Sequence, residues 1–259
     1  MFSHATTQTT FSSRGRGFSL VELLVVMAIT GVLTALLLPT LATVRESANR
    51  VISSSNQRTI GQGLTMFASD NKDQLPRSRV IEGVDPRPSE LMVARYSSAV
   101  RNNPTGSADI RYRNYANVER AGWDGLGLLY FLHYEDDANV FYCPSHSGEH
   151  SLDRYEENWL AGVGTIYTNY HYSGHMNWKT GMARRFTGAR LVLLSDGLRR
   201  RSDLSHETGL NVLKGDGSVR WHELPTLLAQ LPMESPMGDA LRAHQDLISE
   251  LFNDNGLIK

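Results

Sequence analysis

The sequence predicts an α+β chain, in which one long N-terminal hydrophobic α-helix packs on a small antiparallel β-sheet head. Three observations carry that expectation. From Gly17 to Val44 the only charged residue is Glu22. Apolar residues then recur at three-to-four spacing as far as Phe67. Near residue 200, RLVLLSDG (190–197) and LNVLKGDGSVRWHE (210–223) have strand composition. A length of 259 residues suits one globular domain with an appendage. The formal net charge of -1 argues against nucleic acid as the main partner. The single cysteine, Cys143, excludes an intrachain disulfide.

The apolar run comes first. It is longer than the roughly 20 residues that cross a bilayer. A secretory signal peptide would have an apolar core of about 7–15 residues before a small-x-small cleavage site. This run exceeds that and ends in LLLPTLATVRES, without such a site. Leu41, Val44, Ala48, Ile52, Ile60, Leu64 and Phe67 then mark an amphipathic continuation. Gly61, Gly63 and SDNKDQLP are expected to end it. A helix from Phe18 to Ser69 would be about 75–80 Å long. The chain therefore divides into residues 1–17, a membrane-spanning segment 18–39, an amphipathic segment 40–70 and a head 71–259.

In the head, residues 76–122 are rich in Pro, Asn, Gly and charge, and read as loops. SELMVARYSSAV (89–100) is expected to hold one short helix. A second helix is expected at Leu126–Tyr134 and a strand at NVFYC (139–143). LNVL and SVRWHE read as a hairpin turned by KGDG. MGDALRAHQDLISELF (237–252) has helical spacing, with Gly256 beyond it as a stop.

Glu22 needs an explanation. A carboxylate at the centre of a membrane helix costs about 2.5–3.5 kcal/mol, less near an end, and usually has a partner. No Lys or Arg lies three or four residues from Glu22, and Ser19 offers a hydroxyl. The charge must be met by another molecule or by a newly made amine.

RGRGFSLVELLVVMAITGVLTALLLP resembles the class III signal of type IV prepilins and type II secretion pseudopilins. The resemblance implies a pilin-like fold and a leader, residues 1–17, cut between Gly17 and Phe18. A prepilin peptidase would make that cut and methylate the new amine of Phe18. Glu22 then takes the family's acidic assembly position, and Pro39 its helix-kinking proline. The implied partners are that peptidase and methyltransferase, other pseudopilins in a filament, an inner-membrane secretion platform and membrane lipid. The implied place is the bacterial cytoplasmic membrane, single-pass, with the N-terminus cytoplasmic and the head outside. Charge alone does not orient the helix, because Arg45, Arg50 and Arg58 oppose Arg14 and Arg16. The implied function is a filament subunit of a type II secretion system. A subunit of a type IV pilus for adhesion, motility or DNA uptake is an alternative. A membrane-anchored ligand- or metal-binding head that does not polymerise is another.

HETGLNVLKGDG, with His206, Asp216 and Gly217, resembles the H-x9-DG signature of a C-terminal domain in many prepilin-like proteins. LGLLYFLHYEDDANVFYCPS resembles segments of the same chains. The resemblance implies no chemistry for these residues.

Two metal readings stand beside blander ones. Asp124-Gly125, Asp196-Gly197 and Asp216-Gly217 offer oxygens to calcium, but Asp-Gly also suits turns. Cys143, His146, His150, His171 and His175 are zinc-ligand types, but their spacing matches no finger. No cofactor is therefore expected. No G-x-S-x-G, H-E-x-x-H or phosphate-cradling loop is present, so no enzyme activity is expected.

Overall fold

A computed structural model describes residues 18–76, 92–97, 122–173, 191–198 and 204–224, with residues 185, 186, 188, 189, 201, 226, 229 and 231 between and after them. Two compact units divide the chain, Met1–Arg45 and Glu46–Lys259. Helix α1 spans Leu20–Asp70, 51 residues, with Pro39 inside it. Proline has no N–H for the carbonyl of Ala35, so one helix bond is missing there. Gly61 and Gly63 do not end α1, as the sequence reading expects, but lie on its buried face. A Cβ on Gly61 would come within 3.1 Å of Leu213 Cδ1, so the glycine permits close approach to the sheet. The helix ends instead where Lys72 and Asp73 turn left-handed, at φ 57° and 61°. There the Asp73 N–H bonds the Ala68 carbonyl at 2.8 Å.

The head carries a four-stranded antiparallel sheet in the order β3 (Tyr170–Tyr172), β4 (Val192–Asp196), β5 (Gly209–Lys214), β6 (Val219–Glu223). A smaller sheet pairs β1 (Val93–Arg95) with β2 (Ile166–Tyr167). The fold is thus α+β, with a long N-terminal helix and antiparallel sheets, the pilin-like arrangement. Strands β3, β4 and β5 are buried at nearly every position, whereas β6 is an edge strand and largely accessible. Ile60, Leu64 and Phe67 of α1 pack into the core with Leu193, Leu194 and Leu213 of the sheet. Beside them Trp159, on helix α3 (Glu156–Ala161), stacks on Phe141 at 5.2 Å. Its indole N–H donates to the Tyr142 hydroxyl at 2.9 Å.

Helix α2 (Gly127–Phe131) lies inside the helix expected at Leu126–Tyr134. Two expectations for the elements of the head fail. SELMVARYSSAV holds a strand at Val93–Arg95, because that segment finds a partner in Ile166–Tyr167. NVFYC is no strand: Ala138–Phe141 forms a 3-10 turn, started by Asp137, whose side chain accepts from Asn139 N at 2.9 Å. The local cap outweighs the apolar pattern. The C-terminal helix expected at 237–252 lies outside the described residues.

Candidate functional site

The polar interior of the head is built first by α1. Glu46, Arg50, Ser53 and Gln57 recur at i, i+4, i+7 and i+11, which places them on one helix face. Ser53 and Gln57 are fully buried, whereas the neighbouring Val51 and Ile52 are exposed. The expected apolar stripe therefore holds only from Ile60 onward; Leu41, Val44, Ala48 and Ile52 are all exposed. Over the turns before Ile60 the buried face is polar.

Its counterpart is Asp196 at the end of β4. Ser53 Oγ donates to Asp196 Oδ1 at 2.9 Å and Gln57 Nε2 to the same oxygen at 3.1 Å. The Asn211 N–H of β5 donates to Oδ2 at 2.6 Å. Burial raises the Asp196 carboxyl above its ordinary value, against the pull of His206 and these donors. His206 lies just before β5 with its imidazole fully buried. Its Nδ1 pairs with Glu46 Oε1 at 2.5 Å, and its Nε2 faces Cys143 Sγ at 3.4 Å and Asp196 Oδ2 at 3.7 Å. Burial raises the Glu46 carboxyl, but bonds from Ser145 and His206, the charge of His206 and a bond from Arg50 outweigh it and leave it lowered.

Cys143 is held through its backbone. Asn169 accepts its N–H at 2.6 Å and donates to its carbonyl at 3.3 Å. Trp221 of β6 forms one wall: its ring lies 5.3 Å edge-on from His206, with the Arg50 guanidinium 4.1 Å over it. Cys143, His206 and Glu46 thus follow the order of a nucleophile, base and orienting acid. The setting opposes that use. Burial and then the Asp196 charge push the thiol up to about 12, whereas a nucleophilic thiol needs a lowered value and access.

The zinc-type residues of the sequence are therefore regrouped. Cys143 meets His206 and Asp196, which sequence reading assigned to other patterns. His150 Nδ1 bonds the Tyr155 hydroxyl at 2.9 Å, and its ring stacks on Tyr167. His171 Nδ1 accepts from Leu198 N at 3.1 Å. His175 lies outside the described residues. The three Asp-Gly pairs sit in separate settings: Asp124 is buried before α2, Asp196 is in the polar interior, and Asp216 is in an exposed turn. The H-x9-DG pattern is likewise split. His206 precedes the hairpin, and Asp216-Gly217 turns it at the far end of β5. The spacing reflects the length of that strand. Gly217 takes φ 79°, and Asp216 Oδ1 accepts from Ser218 N at 2.9 Å.

The other functional feature is the start of α1. Ser19 Oγ accepts from Val21 N at 3.3 Å, and Glu22 Oε2 accepts from Ser19 N at 2.8 Å. These are reciprocal capping bonds. The S-x-x-E spacing that signals them is in the sequence, but Glu22 takes the Ser19 backbone N–H and not the hydroxyl. The apolar side chains on both sides of this cap, from Phe18 to Val44, are exposed, and α1 is long and apolar enough to cross a bilayer. Its polar groups are satisfied within the helix: Thr30 donates to Val26 O at 2.9 Å and Thr34 to Thr30 O at 2.7 Å. Gly17 lies outside the described residues.

Comparison with known proteins bears on this end of the chain. Residues 12–38 match the family model described as the prokaryotic N-terminal methylation motif. No curated protein matches, and no solved structure matches. The motif supports a pilin-like subunit processed by prepilin peptidase, and with the apolar helix it fits a single-pass inner-membrane anchor. The amino-terminal segment thus carries a prepilin-type methylation motif.

Proposed function

We propose that this protein is a pseudopilin of a type II secretion system, polymerising through its N-terminal helix into a filament. The methylation motif heading a helix of exposed apolar side chains carries the reading. Cleavage after Gly17 leaves an amine on Phe18. Glu22 spends Oε2 on the Ser19 N–H. Its Oε1 has no hydrogen bond among the described residues and is the atom that meets the Phe18 amine of a neighbouring subunit. In an apolar filament core an unpaired charge is costly, so this pairing favours one axial register. The N-terminus stays cytoplasmic and the head lies outside the membrane. Pro39, lacking its N–H, is where the helix bends.

Glu22→Gln tests this pairing without removing the cap, because glutamine also serves at that position of a capping box. The expected outcome is a processed, membrane-inserted subunit that does not assemble. Normal assembly of Glu22→Gln and Glu22→Lys would defeat the reading. A long cell-surface filament, in place of a secretion defect on deletion, would assign the protein to a pilus.

A further inference from the structure

The buried Cys143, Asp196 and His206 have no part in assembly through α1. They come from three separate places: the loop after the 3-10 turn, the end of β4 and the approach to β5. One donor atom of each lies within 4.8 Å of the others. We propose that Cys143 Sγ, Asp196 Oδ2 and His206 Nε2 bind a thiophilic divalent cation of the zinc class, with Glu46 orienting His206.

Geometry argues first. Zinc bonds of about 2.0–2.3 Å at tetrahedral angles separate neighbouring ligand atoms by about 3.4–3.6 Å. The sulfur-to-Nε2 distance is 3.4 Å and the Nε2-to-Oδ2 distance 3.7 Å. The donor set is apt: a thiolate and an imidazole select zinc over calcium or magnesium. One thiolate and one carboxylate also neutralise a divalent ion, so the filled site buries no net charge.

The surroundings argue next. A zinc-bound histidine usually gives its other ring N–H to a carboxylate, which fixes its tautomer. Glu46 takes that place at Nδ1. Asp196 is oriented by Ser53, Gln57 and Asn211, and the backbone of Cys143 by Asn169. Both non-sulfur ligands thus have outer partners that hold them in place. On binding, the Cys143 S–H proton leaves for solvent and the sulfur lone pair goes to the metal. All three ligand residues are buried, so the ion enters as the head folds.

The test uses the full-length protein in detergent, purified from host membranes. Metal analysis should find about one zinc per chain. Refolding with cobalt in place of zinc should produce a sulfur-to-cobalt charge-transfer absorption. Cys143 is the only cysteine, so this band identifies the ligand even where Cys143→Ser fails to fold. Glu46→Gln should keep the band and weaken zinc binding about 10- to 100-fold. His150→Ala should change neither. Less than about a tenth of an equivalent of zinc after refolding with excess metal would overturn the proposal, as would cobalt binding without the thiolate band.

Discussion

Residues 20–45 of α1 and residues 46–70 belong to one helix but meet their surroundings in opposite ways. The first stretch exposes an almost wholly apolar surface, and its one acid caps the helix start. The second buries Ser53 and Gln57 while Val51 and Ile52 face outward. The first half does not follow the amphipathic rule for a helix on a globular head, and the second follows it only from Ile60 onward. The first belongs to a membrane or to other copies of itself. The second reads a buried carboxylate on the sheet, so its register on the head is set by hydrogen bonds as well as by Ile60, Leu64 and Phe67. Apolar packing alone tolerates small slips, whereas Ser53 and Gln57 reach Asp196 in one register only.

Substitutions in one half should leave the other half's property intact, since distant sites act additively. The largest effect is expected from Glu22→Lys, which should abolish filament incorporation while leaving the denaturation midpoint of the head unchanged. Trp159→Ala should destabilise the head by about 3–5 kcal/mol through lost burial and a cavity, read by denaturant titration in detergent. Membrane insertion should not change. Ser53→Ala and Ile52→Ser probe adjacent positions. Ser53→Ala removes a donor from buried Asp196 and should cost about 1–3 kcal/mol. Ile52→Ser, at an exposed position, should cost about 0.5 kcal/mol or less. Equal effects would erase the claim that the buried face is polar here. Gly217→Ala forces a left-handed alanine into the hairpin turn and should cost about 1 kcal/mol. The smallest effect concerns Asp216, whose carboxyl is lowered below 3.8 by the Ser218 bonds. Its contribution is present above pH 3.8 and is lost as pH falls through the lower folded value. Asp216→Ala should remove only that acid-limb dependence.

What the sequence revealed follows the same division. The apolar run, the β5–β6 hairpin and β4 were legible because period and turn chemistry act locally. The strand at Val93–Arg95 was not, since only a partner about seventy residues away selects it over a helix. The 3-10 turn at Ala138–Phe141 had a local signal in Asp137, which the apolar run NVFYC obscured. The polar interior was hidden most fully. Ser53 and Gln57 look like solvent-facing residues until Asp196 is placed opposite them. His206 was noticed through Asp216, which lies elsewhere, and Cys143 through its neighbours in sequence and not through His206, which faces its sulfur.

The most direct test of the central claim is the N-terminus and intact mass of the protein from its own host's membranes. The account predicts a chain that begins at N-methylated Phe18 and lacks residues 1–17. A chain that begins at Met1, or that is cut near Ala42, would contradict it.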